Sequence, residues 1–133
     1  MPDPTGIARK LTFSPAAGGV SNHCSVSIQV VDAYDNAVAE SFVFNLWLSD
    51  AVTGLGVAAT PPDALTALSS YGHDIGILTA ASALVVQTLA NGKYILDITD
   101  AAGQIFYVAA VIPGGPNAGR TIVSRVLSAA DFT

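Results

Sequence analysis

The chain holds two histidines and one cysteine, and the neighbours of these three residues decide whether they could carry chemistry. His23 and Cys24 are adjacent in a stretch that reads as a strand. Successive strand side chains point to opposite faces, so a thiolate–imidazole pair cannot close there. A buried small thiol beside a histidine at the sandwich rim is the simpler reading.

"GHDIG" sets His73 next to Asp74 in what reads as a loop, two parts of a hydrolytic triad or of a metal site. No Gly-x-Ser-x-Gly elbow accompanies them, and a metal would need further ligands from elsewhere in the chain. "DAYDN" offers calcium the oxygens of Asp32, Asp35 and Asn36, without the ordered alternation and closing Glu of an EF-hand loop. These residues read as turn caps. "PGGPNAG" has the glycines of a phosphate loop, but no Lys-Ser/Thr ending, and it leads into a strand. The expectation is a protein that is not an enzyme, with no catalytic residues, cofactor or metal.

The elements around these residues read as β throughout. "CSVSIQVV" alternates, with Val26, Ile28 and Val30 on one face and Ser25, Ser27 and Gln29 on the other. After the "DAYDNA" turn, "FVFNLWLS" puts Phe42, Phe44, Leu46 and Leu48 on a core face and Val43, Asn45, Trp47 and Ser49 on the opposite one. "ARKLTF", "ALVVQT", "KYILDIT", "IFYVAAVI" and "RTIVSRVLS" read as further strands, and residues 51–82 as short edge strands and loops. The predicted fold is all-β, an immunoglobulin-like antiparallel sandwich of about 7–9 strands. Residues 1–7, with two prolines and a glycine, read as an extended arm, and 8–133 as one domain.

Composition agrees. Of 133 residues 51% are hydrophobic and 11% charged, too few charges to clothe long solvated helices. The net charge of −5 comes without a basic face, which argues against nucleic acid or an anionic membrane as partner. A lone cysteine allows no internal disulfide. No apolar run is long enough to span a membrane as a helix, and the first residues lack the order of a secretory leader.

Several strands are apolar on both faces, although a two-layer sandwich buries one face of each sheet. Trp47 and Val43, with Phe106 and Val108 on "IFYVAAVI", are therefore candidates for a subunit interface. For Trp47 a second reading stands beside this, as the central core tryptophan of an immunoglobulin sandwich.

"SVSIQVVDAYDNAVAESFVFNL" resembles the bacterial and phage Ig-like pattern of a strand ending in Val-x-Asp, a tight turn, and a strand of alternating apolar residues. "LANGKYILDITD" looks like the tyrosine corner of such sandwiches, with Tyr94 as its tyrosine. Together with "FVFNLWLSDAVTG" and "FYVAAV", these stretches are similar to small structural proteins of tailed bacteriophages over roughly residues 24–112. The resemblance implies a virion protein of the capsid decoration (cement) type, which binds the major capsid protein or other virion proteins and forms a homo-oligomer. It would be assembled in the host cytoplasm, where no leader is needed. The alternative is an Ig-like adhesion or carbohydrate-binding module of a bacterial or phage surface protein.

Overall fold

The computed structural model describes residues 6–68 and 70–132. The part of the expected N-terminal arm from 1 to 5 lies outside the described residues. The strands are β1 (Lys10–Ala17), β2 (His23–Val31), β3 (Val43–Ser49), β4 (Ala64–Ala67), β5 (His73–Thr79), β6 (Ala83–Gln87), β7 (Lys93–Thr99), β8 (Tyr107–Val111) and β9 (Thr121–Val123), followed by a 3-10 turn at Ala129–Asp131. They form an immunoglobulin-like antiparallel sandwich of two sheets, in the orders β1-β2-β7-β4 and β5-β6-β3-β8-β9. The first order matches the ABED sheet of an immunoglobulin domain, and β3-β8-β9 matches CFG. The β5–β6 hairpin extends the second sheet where variable-type domains add two strands, but here the edge strand β4 of the other sheet comes before the hairpin in the chain.

Alternation makes the core. β2 turns Cys24, Val26, Ile28 and Val30 inward, and β3 turns Phe44, Leu46 and Leu48 to meet them, all buried. Leu84 and Val86 of β6, and Tyr94, Leu96 and Ile98 of β7, complete the two inner faces. The rings of Phe44 and Tyr94 meet edge to face across the gap, 6.4 Å apart.

Two segments differ from the sequence reading for identifiable reasons. β1 runs past Phe13 through Pro15 to Ala17, because it is an edge strand and a proline there costs no ladder bond. "RTIVSRVLS" is a strand only at Thr121–Val123, after which the chain leaves the sheet edge. Leu127 then forms an isolated bridge with Phe106 and drops into the core.

Two turns share one device. Asp32 accepts the backbone N–H groups of Tyr34 and Asn36 at 2.9 and 3.0 Å, and Asp100 accepts those of Ala102 and Gln104 at 3.4 and 3.0 Å. Each carboxylate ends a strand-to-turn passage at the same offsets, two and four residues on.

Candidate functional site

The four residues expected at an interface do not share a surface. Phe106 and Val108 are fully buried in the core with Ala110 and Ile112, so the outward face of β8 is the opposite set, Tyr107, Ala109 and Val111. Both alternating sets of "IFYVAAVI" are apolar, so no polar residue marks the solvent side. Val43 does face outward from β3 and is 51% exposed.

Trp47 lies on the outer face of its sheet, neither in the central core nor bare. Its indole N–H donates to the Gly54 carbonyl at 2.9 Å, so the loop after β3 folds back over it. Gly54 has φ of 76°, and a Cβ there would stand 2.8 Å from the Val123 side chain and 3.1 Å from Ala109. Only glycine lets the loop lie this close to β8 and β9. The chain thereby covers part of its own second apolar face.

Tyr94 opens β7, where the chain crosses from one sheet to the other. A tyrosine corner would return the hydroxyl to nearby backbone. This one donates to the Asp74 carboxylate at 2.6 Å, twenty residues upstream. Burial, and then this hydrogen bond to Asp74, push the phenol far above its ordinary value.

"GHDIG" is not a loop but the start of β5, which separates His73 from Asp74. His73 is exposed, and its register partner is Gln87. Asp74 faces across the sandwich to the other sheet, where its second oxygen accepts from the Thr66 hydroxyl at 2.6 Å and the Ala67 N–H at 3.0 Å. It thus ties β4 and β7 to β5, a structural clamp with its acceptors occupied.

Cys24 is buried on the inner face of β2, and burial, then the charge of Asp131, push its thiol up to about 11. His23 sits on the outer face, its Nδ1 N–H 3.1 Å from both carboxylate oxygens of Asp97. Thr99 Oγ1 approaches the same ring nitrogen at 3.4 Å, so the three groups do not form a proton relay from hydroxyl through imidazole to carboxylate.

In the acidic turn, Asp32 also accepts the Gly6 N–H at 3.2 Å, and Asp35 pairs with Lys10. Burial pushes the Asp32 carboxyl up, but the N–H groups of Asn36, Gly6 and Tyr34 together pull it down further, leaving it below the ordinary carboxylate value. Asp32 is thus a turn cap directed at backbone N–H groups, and Asp35 is directed at a lysine. Among the described residues no three His, Cys, Asp or Glu side chains converge as a metal site.

Two surface features escaped the sequence reading. On the edge strand β5, Ile75, Ile77 and Leu78 are 54%, 70% and 58% exposed. Register shifts between Asp74 and Gly76 and between Ile77 and Thr79 spoil the alternation that would have shown which side chains this edge strand exposes. The second is an open depression of about 330 Å³ between the edges β1 and β9, with Arg9, Lys10, Asn117 and Arg120 around Ile112 and Ile122. Its wall is fixed by the Asn117 side-chain amide, which donates to the Arg9 carbonyl at 3.1 Å. It is fixed also by Gly115, which has φ of 75° and whose Cβ, had it one, would fall on the Ala8 carbonyl oxygen.

Compared with known proteins, the chain matches no family model, and no curated protein or solved structure is significantly similar to it.

Proposed function

We propose that this protein is a non-enzymatic structural component of a tailed-phage virion, a decoration protein that docks on the major capsid protein through the β5 edge of its larger sheet. The observation that carries the reading is the trio Ile75, Ile77 and Leu78, three large aliphatic side chains standing in solvent on one seven-residue edge strand. Apolar surface of this kind on an edge is a liability unless something covers it. The two register shifts bend the strand away from simple strand addition, so the contact is made by side chains seated in a partner's apolar recess. The sequence resemblance to phage structural proteins supplies the class of partner.

The test is cosedimentation of the full chain with tailed-phage capsid shells stripped of decoration proteins, wild type against Ile77→Asp. Because Ile77 is solvent-exposed, the variant folds, and it is expected to lose capsid binding. Wild-type protein that stays monomeric and leaves every such shell unbound would end the proposal.

The carbohydrate-binding alternative draws on Tyr34 and Tyr71, both exposed on turns that follow β2 and β4. Each of those strands is antiparallel to β7, so the two turns lie at the same end of the sandwich. Saturable binding of oligosaccharides, lost in Tyr34→Ala and Tyr71→Ala, would favour it.

A further inference from the structure

Asn91–Gly92 is the chain's single Asn-Gly pair, and it forms the turn between β6 and β7, just before Tyr94. Glycine has no side chain to hinder attack by its own backbone nitrogen on the asparagine before it, so such a pair is where an asparagine can lose its amide. Asn91 is exposed, and its Oδ1 accepts the Lys93 N–H at 3.1 Å. A donor on that oxygen makes the side-chain carbon Cγ a better electrophile and stabilises the oxyanion that forms when Cγ is attacked.

The nucleophile, by contrast, is held back. The peptide joining the two residues is bonded at both ends: the Gly92 N–H donates to the Leu89 carbonyl at 3.0 Å, and the Asn91 carbonyl accepts from the Gln29 side-chain amide at 2.9 Å. The Gly92 carbonyl in turn accepts the Val30 N–H at 3.0 Å. Attack requires the Gly92 nitrogen to leave Leu89 and turn toward Cγ, so the corner must open first. Gly92 is also buried, at φ of 75°, and a Cβ there would collide with the Val38 carbonyl oxygen.

We infer that Asn91 is a latent deamidation site, closed in the folded corner and reactive once the corner opens. The Gly92 nitrogen bonds to Asn91 Cγ and loses its proton, and the Cγ–Nδ2 bond breaks to release ammonia, leaving a cyclic imide. Water then opens the ring. Addition at Cγ gives aspartate, and addition at the main-chain carbonyl gives isoaspartate, in which the chain runs on through Cγ and is one atom longer. Aspartate keeps an oxygen for the Lys93 N–H and refolds. Isoaspartate forces its extra atom into the packing of Gly92 against Val38 and Gln29, and displaces Tyr94, two residues on, from Asp74. The lesion is therefore one-way: a chain that opens and reacts by this branch does not regain the clamp. The assignment does not rest on docking by β5.

The test holds full-length protein for days at pH 8, in buffer and in urea above the unfolding midpoint. Peptide mapping by mass spectrometry locates the lost amide, and an isoaspartyl methyltransferase scores isoaspartate. In urea Asn91 is expected to react ahead of Asn22, Asn36, Asn45 and Asn117. In buffer it is expected to react at least about tenfold more slowly, since only the open fraction reacts. On dilution from urea the refolded fraction is expected to hold asparagine or aspartate at 91, and the misfolded fraction isoaspartate. Asn91→Ser keeps an acceptor for the Lys93 N–H but has no Cγ to attack, and is expected to refold in full after the same treatment. The inference is overturned by equal rates in buffer and urea, or by earlier reaction at another asparagine. Refolding of the isoaspartate chains, or a loss of refolding in Asn91→Ser equal to that of wild type, overturns it as well.

Discussion

Removing a single oxygen, in Tyr94→Phe, isolates the clamp between the two sheets. The phenylalanine ring keeps the buried volume and the edge-to-face contact with Phe44, so the variant loses only the hydroxyl and its 2.6 Å hydrogen bond to Asp74. A hydrogen bond to a charged acceptor contributes about 1.5–3 kcal/mol. Taking about 2 kcal/mol, with a urea slope of about 2 kcal/mol per M, the midpoint falls by about 1 M. The pH dependence supplies a second signature. An unfolded tyrosine ionises near 10, whereas burial and Asp74 raise the folded phenol well above that. The hydroxyl's contribution is therefore whole below pH 10 and is lost as pH rises through the folded value. At pH 11 the wild type has given up about 1.4 kcal/mol that the phenylalanine variant never had, so the gap narrows to about 0.6 kcal/mol. Urea unfolding of both proteins at pH 8 and pH 11, followed by far-ultraviolet circular dichroism, measures it, and groups common to both cancel in the difference. A gap that stays constant between the two pH values, or a Tyr94→Phe variant as stable as wild type at pH 8, refutes the clamp.

Gly115→Ala is expected to destabilise by at least about 2 kcal/mol, or roughly 8 °C in melting temperature, through left-handed strain plus collision with the Ala8 carbonyl. Gly119→Ala, at φ of 88° but in open space, bears only the strain and should cost about half as much; equal losses in the two melts would dispose of the collision. Cys24, buried and with its thiol raised to about 11, should resist a disulfide reagent at pH 8 in the native protein and react fully in urea. Rapid stoichiometric labelling of the folded chain would contradict that placement. The Asp32 carboxyl sits below its ordinary value in the folded state, so its contribution is present above about pH 4 and fades as pH falls through the folded value. The stability gap between wild type and Asp32→Asn should accordingly narrow from pH 6 to pH 3, and urea midpoints that keep the same separation would count against it.

Alternation carried the fold in the sequence wherever one face of a strand was polar. "CSVSIQVV" is such a strand, and its inward set Val26, Ile28 and Val30 is the inward set in the structure. The same rule fails when both faces are apolar, because it then specifies a strand without a side. "IFYVAAVI" therefore let Phe106 and Val108 stand as interface candidates although both face the core, and the deciding fact lies elsewhere in the chain: the loop carrying Gly54 covers the Ala109 side. β5 is one of the short edge strands expected in residues 51–82, but its two register shifts place Ile75 and Leu78 off the period-two pattern and hid which side chains it exposes. The depression between β1 and β9 had no local signal, since Arg9 and Lys10 are more than a hundred residues from Arg120 in the chain and meet it only because β1 and β9 are edges of two different sheets. Residues that act within one strand or turn were thus legible, whereas those brought together by sheet order were not. The Tyr94–Asp74 clamp belongs to the second kind: each partner was singled out separately, one as a corner and one as a possible triad member, and the pairing of β5 with β6 and of β4 with β7 is what makes them one device.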